Sequence, residues 1–140
     1  VIDEIVARLK AKATILTDVQ GAEDLDALAK GTAPRSGTAF VLPYRERADG
    51  SPYAMGSFRQ LVHTQVLVAF VVRRHSDAKG AQRVAGFDAY KDAIEGALAG
   101  WIGPGMEDPM ELVAAQAAPM GNGVTAYVQT WETSRFLEGS

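Results

Sequence analysis

Between Phe58 and Arg74 the chain reads FRQLVHTQVLVAFVVRR, and its hydrophobic pattern changes halfway along. From Phe58 to Gln65 apolar and polar residues largely alternate, as in a strand with one face on a core and the other near water. From Val66 to Val72 every residue is apolar. Strands average about five or six residues, so a strand over this run either projects beyond its own sheet or has its second face covered. In a chain of 140 residues another copy of the protein is a candidate cover. The apolar half is therefore read as the place where core and subunit contact meet, and the alternating half as the part that extends toward a neighbour.

A chain of this length suits a single domain, residues 1–140, and a domain of that size buries roughly two thirds of its unfolded surface. Cysteine is absent, which excludes thiol catalysis, cysteine zinc sites and disulfides, and agrees with a reducing compartment. A net charge of −3 argues against a general nucleic-acid binder, whose affinity depends on clustered Lys and Arg. The apolar run is far short of the roughly twenty residues that span a bilayer, and the N-terminus has no basic-then-apolar signal pattern. The expectation is a soluble, unexported chain with no membrane partner.

All six prolines fall at or beyond the edges of periodic segments, where a missing N–H does no harm. Ile2, Ile5, Val6 and Leu9 follow helical spacing, with Asp3 and Glu4 early and Lys10 and Lys12 late, matching the helix dipole. Thr14–Val19 reads as a strand, Ala22–Lys30 as one or two helical turns stopped by Gly31, and Thr38–Tyr44 as a second strand. A long connection from Arg45 to Ser57 then leads into the Phe58–Arg74 run. The second major helix starts at Ser76 or Asp77 and stops at Gly100, with Val84, Phe87, Ile94, Leu98 and Trp101 on its core arc. Ala81, Ala85, Ala89, Ala93 and Ala97 form a small-residue ribbon, read as helix-favouring packing or as a contact with a neighbouring subunit. Lys91, between Asp88 and Glu95, is placed for an ion pair. Leu112–Ala118 and Val124–Thr133 flank Gly121-Asn122-Gly123 as a hairpin.

The search for chemistry is negative. His63 shares a face with Arg59, Leu61 and Gln65, His75 lies at a strand-to-helix junction, and neither has a metal-ligand partner at recognisable spacing. Ser36, in PRSG, lacks the nucleophile pattern. Gly100–Gly105 (GWIGPG) ends a helix and has no following Lys-Ser/Thr, so it is neither phosphate loop nor dinucleotide fingerprint. Glu23, Asp24 and Asp26 read as a solvated helix surface, and Glu107, Asp108 and Glu111 as a loop cluster. No catalytic, cofactor-binding or metal residue is assigned, and no cofactor and no enzymatic activity are expected.

The expected fold is α/β of the α+β type. It has a mixed, mostly antiparallel sheet of four to five strands with two main helices packed on it, in the order α-β-(short α)-β-β-α-β-β. This order, with the opening IDEIVARLK helix, the TAPRSGTAFVLPYRERA segment, the FRQLVHTQVLVAFVVRR strand and the closing GNGVTAYVQTWETSRFL, resembles the phage tail terminator family of Mu-like and lambda-like phages and prophages. The resemblance covers nearly the whole chain. It implies a structural protein of the virion tail, assembled in the host cytoplasm. Six copies would form a ring that caps the head-proximal end of the tail tube, stops its polymerisation and joins tail to head.

The partners so implied are the protein itself, the tail tube protein and the head–tail connector protein. No sequence-specific nucleic-acid binding is implied, only a lumen through which DNA can pass. Within that picture subunit and partner contacts are placed along Leu67, Ala69 and Val71 on one strand face and at Tyr44, Arg45, Arg47, Tyr53, Met55 and Phe58 in the long connection. Tyr, Arg and Met are enriched at interfaces. Two alternatives stay open: a phage neck or assembly adaptor, monomeric on its own, and a small-molecule-binding α/β domain with an apolar pocket around His63.

Overall fold

The computed structural model describes residues 1–23, 35–51, 58–73, 80–121 and 123–139. Its described elements are α1 (Ile2–Lys12), β1 (Asp18–Gly21), β2 (Thr38–Ala48), β3 (Arg59–Arg73), α2 (Gly80–Leu98), β4 (Glu111–Gly121) and β5 (Val124–Glu138). The strands form one sheet in the order β1-β2-β3-β5-β4. Only the β1–β2 pair is parallel. This is the mixed, mostly antiparallel sheet with two main helices that the sequence implies. The short helix read over Ala22–Lys30 falls largely on residues 24–34, outside the described residues. The Ser76 or Asp77 start of the second helix lies outside them as well.

β3 and β5 hold the centre, paired without interruption from Arg59↔Glu138 to Arg73↔Val124. Alternation sends Val66, Val68 and Phe70 of β3 and Tyr127 and Trp131 of β5 to the face that carries both helices. There they meet Ile5 and Leu9 of α1 and Ile94, Ala97 and Leu98 of α2. Phe70 is the hub, its ring 5.5 Å from Phe87, 5.8 Å from Tyr90 and 5.6 Å from Tyr127. Arg8 links the helices: its Nε donates to the Ala97 carbonyl at 2.9 Å and its guanidinium lies over Trp101. The Ala97 carbonyl is one of those that a helix C-terminus leaves unpaired. Ala97 is buried and Ala93 packs against the same cluster, so these members of the alanine ribbon serve the core.

Several boundaries move for identifiable reasons. β1 begins at Asp18, later than Thr14, because Thr14–Thr17 turns the chain out of α1, with Leu16 N–H donating to Ala13 and Thr17 N–H to Gly37. Gly37 sits at φ +86, and a Cβ there would meet Thr17 Oγ1 at 2.7 Å and the Tyr90 ring at 2.8 Å, so only glycine fits. β2 continues through Arg45–Ala48, which the sequence reading gave to a connection. A bulge at Tyr44, between the pairs Pro43↔Val66 and Arg45↔Gln65, lets it stay on β3. β5 likewise runs to Glu138, well past Thr133. The hairpin closes as its glycines require: Gly121 pairs with Val124 and Gly123 has φ +74.

Lys91 corrects one expectation: among the described residues it forms no ion pair with Asp88 or Glu95. Glu95 Oε2 instead accepts from Gln129 Nε2 at 2.9 Å, and Gln129 Oε1 accepts from Trp131 Nε1 at 3.0 Å. Gln129 is fully buried, so its amide needs both partners, and a surface lysine competes poorly for the same carboxylate. The hub position of Phe70 yields a prediction. Phe70→Ala lowers stability by about 3–5 kcal/mol, read as a lower urea midpoint at unchanged slope.

Candidate functional site

Seven of the nine sequence-designated contact residues are described; Tyr53 and Met55 lie outside the described residues. They fall into two regions of the sheet. Leu67, Ala69 and Val71 point away from the helices and form a second apolar cluster with Phe40, Leu42, Val124, Ala126 and Val128. Ala69 and Val71 have no exposed surface and Leu67 is half-buried. The run that looked too apolar for a solvated sheet is thus largely covered within a single chain. Leu67 alone of the three offers surface to a neighbour.

The other region lies where the strands outrun the helices. Fifteen strand residues reach about 50 Å, against about 28 Å for the nineteen residues of α2. Beyond the helices the sheet is tied by polar cross-strand contacts on both faces. The bulge at Tyr44 turns Arg45 and Arg47 onto the face of Gln65 and His63, and Glu46 onto the face of Thr64. Arg45 Nε donates to Gln65 Oε1 at 2.7 Å while its guanidinium lies 5.3 Å from the centre of the exposed Tyr44 ring. Gln65 Nε2 donates onward to Glu132 Oε1 at 2.9 Å.

Asp49 organises the next turn of the same face. One carboxylate oxygen meets Arg47 Nη1 and the other His63 Nε2, both at 2.9 Å, and its carbonyl accepts from Gln60 Nε2 at 2.7 Å. The His63 hydrogen bond is the main cause holding the Asp49 carboxyl below its ordinary range. On the opposite face Glu46 accepts from Arg135 Nε and Nη2, each at 3.0 Å, and from Thr64 Oγ1 at 2.7 Å. The Arg135 hydrogen bonds, then Thr64, hold Glu46 below its ordinary range against the opposing effect of burial. Phe58 is exposed at the end of the sheet, and next to it Arg59 stacks on Phe136 at 3.7 Å.

Around His63 there is little to offer a small molecule, and the more apolar cleft of the region, about 370 Å³, lies at Val1, Ile2, Pro43, Tyr44 and Val66. Two clefts of about 270 Å³ flank His63, one lined by Arg45, Glu46, Arg47, Gln65 and Glu132, the other by Asp108, Pro109, Glu111, Glu132 and Thr133. Ligand pockets are usually larger and mainly apolar, whereas these walls are charged and polar. Ser134 lies opposite His63 in the ladder, but it is buried and its hydroxyl donates to Asp108 Oδ2, so it is not available as a nucleophile. Among the described residues no three His, Asp or Glu side chains gather as metal ligands. What the surface does offer is exposed Tyr and Arg on a braced scaffold, the composition of a protein contact. Sequence reading missed Glu46, Asp49, Glu132 and Arg135, whose roles depend on register.

Residues 2–139 match the model of a family described as phage tail terminator protein. Among solved structures, a chain in a structure described as the virion of a native gene transfer agent particle superposes with a TM-score of 0.63. The match has 14% sequence identity and covers 99% of this chain and 95% of that one. At that identity the likeness is one of fold. No curated protein matches.

The carboxylates of this region set a pH dependence. Because folding depresses the Glu46 and Asp49 pKa values, the unfolded chain binds more protons in acid. Their stabilisation is complete above about pH 4.3, the ordinary glutamate value, and is lost as pH falls through the lower folded values. Thermal melts between neutral and acidic pH should show a flat plateau and then a decline, and Glu46→Gln should make that decline shallower.

Proposed function

The chain belongs to the phage tail terminator family, and from that premise we propose that six copies close a ring on the head-proximal end of a tail tube. The protein is a structural component of the virion tail, not an enzyme. It caps the tube, ends its polymerisation and takes part in joining tail to head, which brings it against tail tube and head–tail connector proteins. The observation that carries this reading is the extent of the family match: it takes in every described element, from α1 to β5. Six subunits, and a lumen wide enough for DNA to pass, are the finer parts of the proposal.

The subunit contacts belong to the part of the sheet that extends past the helices. Tyr44, Arg45, Arg47 and Phe58 are exposed there, on strands held rigid by the Glu46 and Asp49 networks. Leu67 borders this surface. Tyr53 and Met55 belong to the same proposal by sequence position. Ala69 and Val71 support the interface from beneath, as the packed layer that fixes the strand, so a charge at Val71 acts on folding first.

Electron micrographs of the purified protein should show rings with a central opening. Added to polymerising tail tube protein, it should shorten the tubes. Monomeric particles that neither close rings nor bind tube ends would overturn the reading. Tyr44→Ala combined with Arg47→Ala should lower the mass measured by light scattering while the melting temperature holds. Val71→Asp, by contrast, buries an unpaired charge and should cost about 4 kcal/mol of folding stability or more, seen in the melt before any change in assembly is measured.

A further inference from the structure

The sheet ends in two strands with nothing paired beyond them among the described residues, β1 on one side and β4 on the other. Free N–H and C=O groups on such edges recruit further strands, so proteins usually guard them with charge, proline or bulges. β4 is exposed from Glu111 through Ala117 and carries no charge from Leu112 to Gly121. Its two irregularities lie near its ends, which leaves Ala114–Ala118, all alanine but for Gln116, as a regular stretch. β1 is exposed at Asp18, Gln20 and Gly21.

The two edges agree in phase, level and direction. Pro119 pairs with Thr125 but has no N–H to give β5, so its nitrogen faces outward. Alternation then turns the N–H and C=O of Ala117 and Ala115 outward as well. On β1 the Ala22 N–H donates inward to the Val41 carbonyl, which turns the backbone groups of Gly21 and Val19 outward. Followed across the sheet, Val19, Ala39, Phe70, Tyr127 and Ala117 share one rung, and Gly21, Val41, Val68, Gln129 and Ala115 share another. The outward-facing residues of the two edges therefore stand at the same levels. β1 runs with β2 and β5, and β4 runs against them, so rotation about an axis along the strands sets β4 of one copy antiparallel to β1 of the next. α1 borders this edge, since a Cβ on Gly21 would lie 3.6 Å from Ile2. Alanine side chains on an arriving strand leave α1 its room.

We propose that β4 of one copy of this chain pairs antiparallel with the outer edge of β1 of the next copy, Ala117 opposite Val19 and Ala115 opposite Gly21, so that the sheets join head to tail. The contact uses two different patches, as a closed cyclic assembly requires, and main-chain hydrogen bonds supply affinity without a deep pocket. It deepens the ring reading above and rests on it. β1 and the open stretch of β2 that carries Tyr44 and Arg45 lie on the same side of the sheet, so one neighbour meets both. Four paired residues bury little beside the roughly 800 Å² that each partner of a stable complex covers, so the contact is weak alone and depends on ring closure. Asp18 guards the edge in the free chain: its carboxylate accepts the outward Val19 N–H at 2.8 Å, a bond that the Ala117 carbonyl replaces on pairing.

The chain has no cysteine, so disulfide trapping reads the register directly. In it Gln20 and Gln116 form a non-hydrogen-bonded pair with Cα atoms about 4.5 Å apart, within disulfide reach. Gln20→Cys combined with Gln116→Cys in one chain should give, on oxidation, a reducible series of covalent oligomers on a denaturing gel, while each single variant stays uncross-linked. Ala117→Pro removes one outward N–H, as Pro119 already does two positions on. It should weaken self-association about tenfold in sedimentation velocity while the melting temperature holds. Cross-linking no greater than in the single variants, or an Ala117→Pro chain that assembles like wild type, overturns the proposal. Rings that persist in either case leave the terminator reading standing without it, and a wild-type chain that forms no rings on its own or on tube ends removes both.

Discussion

The uninterrupted pairing of β3 with β5 is the constraint from which the rest of the molecule follows. Two strands of fifteen residues in register, from Arg59↔Glu138 to Arg73↔Val124, make a ladder of about 50 Å, against about 28 Å for α2 and about 16 Å for α1. At one end the ladder carries apolar residues on both faces. One face receives α1 and α2 over Phe70 and Trp131, and the other collects Ala69, Val71, Ala126 and Val128 into a second buried layer. At the other end no described helix covers the ladder, and the side chains change accordingly to Thr64, Gln65, Glu132 and Arg135. Each polar group there is positioned by a cross-strand partner. The pattern change at Val66 in the sequence is the point where one mode of holding strands together gives way to the other.

The bulge at Tyr44 decides what the polar end can do. Without the extra residue, Arg45 would stand on the helix face of the sheet and Glu46 on the opposite one, since a one-residue slip exchanges the faces of a strand. With it, Glu46 meets Arg135 in a two-pronged contact and Arg45 reaches Gln65. A bidentate arginine–carboxylate pair is among the better-defined surface interactions. It joins β2 to β5 across β3, so three strands are tied by one pair. The exposed Tyr44 ring is then carried on a strand with little freedom to shift, and ordering it on contact with a partner costs less than ordering a loose loop.

How much of this could be read in advance depended on whether the signal was local. The closing hairpin was legible because Gly121-Asn122-Gly123 can do little else, and the face shared by Tyr127, Gln129 and Trp131 follows from alternation alone. The helix faces around Ile5, Leu9, Ile94 and Leu98 were legible for the same reason. β2 was cut short at Tyr44 because Arg45-Glu46-Arg47 looks like solvated loop when its partners are unknown. Those partners, Gln65, Thr64 and Arg135, lie up to 89 positions away. Helical spacing offers Lys91 both Asp88 and Glu95, yet a buried glutamine from β5 has the stronger need for the Glu95 carboxylate. The nature of the surface as a whole was recognised through family likeness, since spacing offers no motif for it.

The burial of Ala69 and Val71 within one chain bears on how such a subunit can assemble. A subunit with that apolar layer open would have to associate as it folds, because an exposed patch of this kind is an aggregation hazard in a free chain. Here the chain covers the layer itself, so each copy can fold alone and wait. What it leaves open is polar backbone at strand edges, tyrosine, arginine and carboxylate side chains, and scattered apolar ones such as Phe58, Leu112 and Val113. Such surfaces tolerate water, bind weakly one at a time, and gain strength when geometry lets several engage together. For a subunit that closes a ring, weak contacts multiplied by closure let geometry, not one adhesive face, decide assembly.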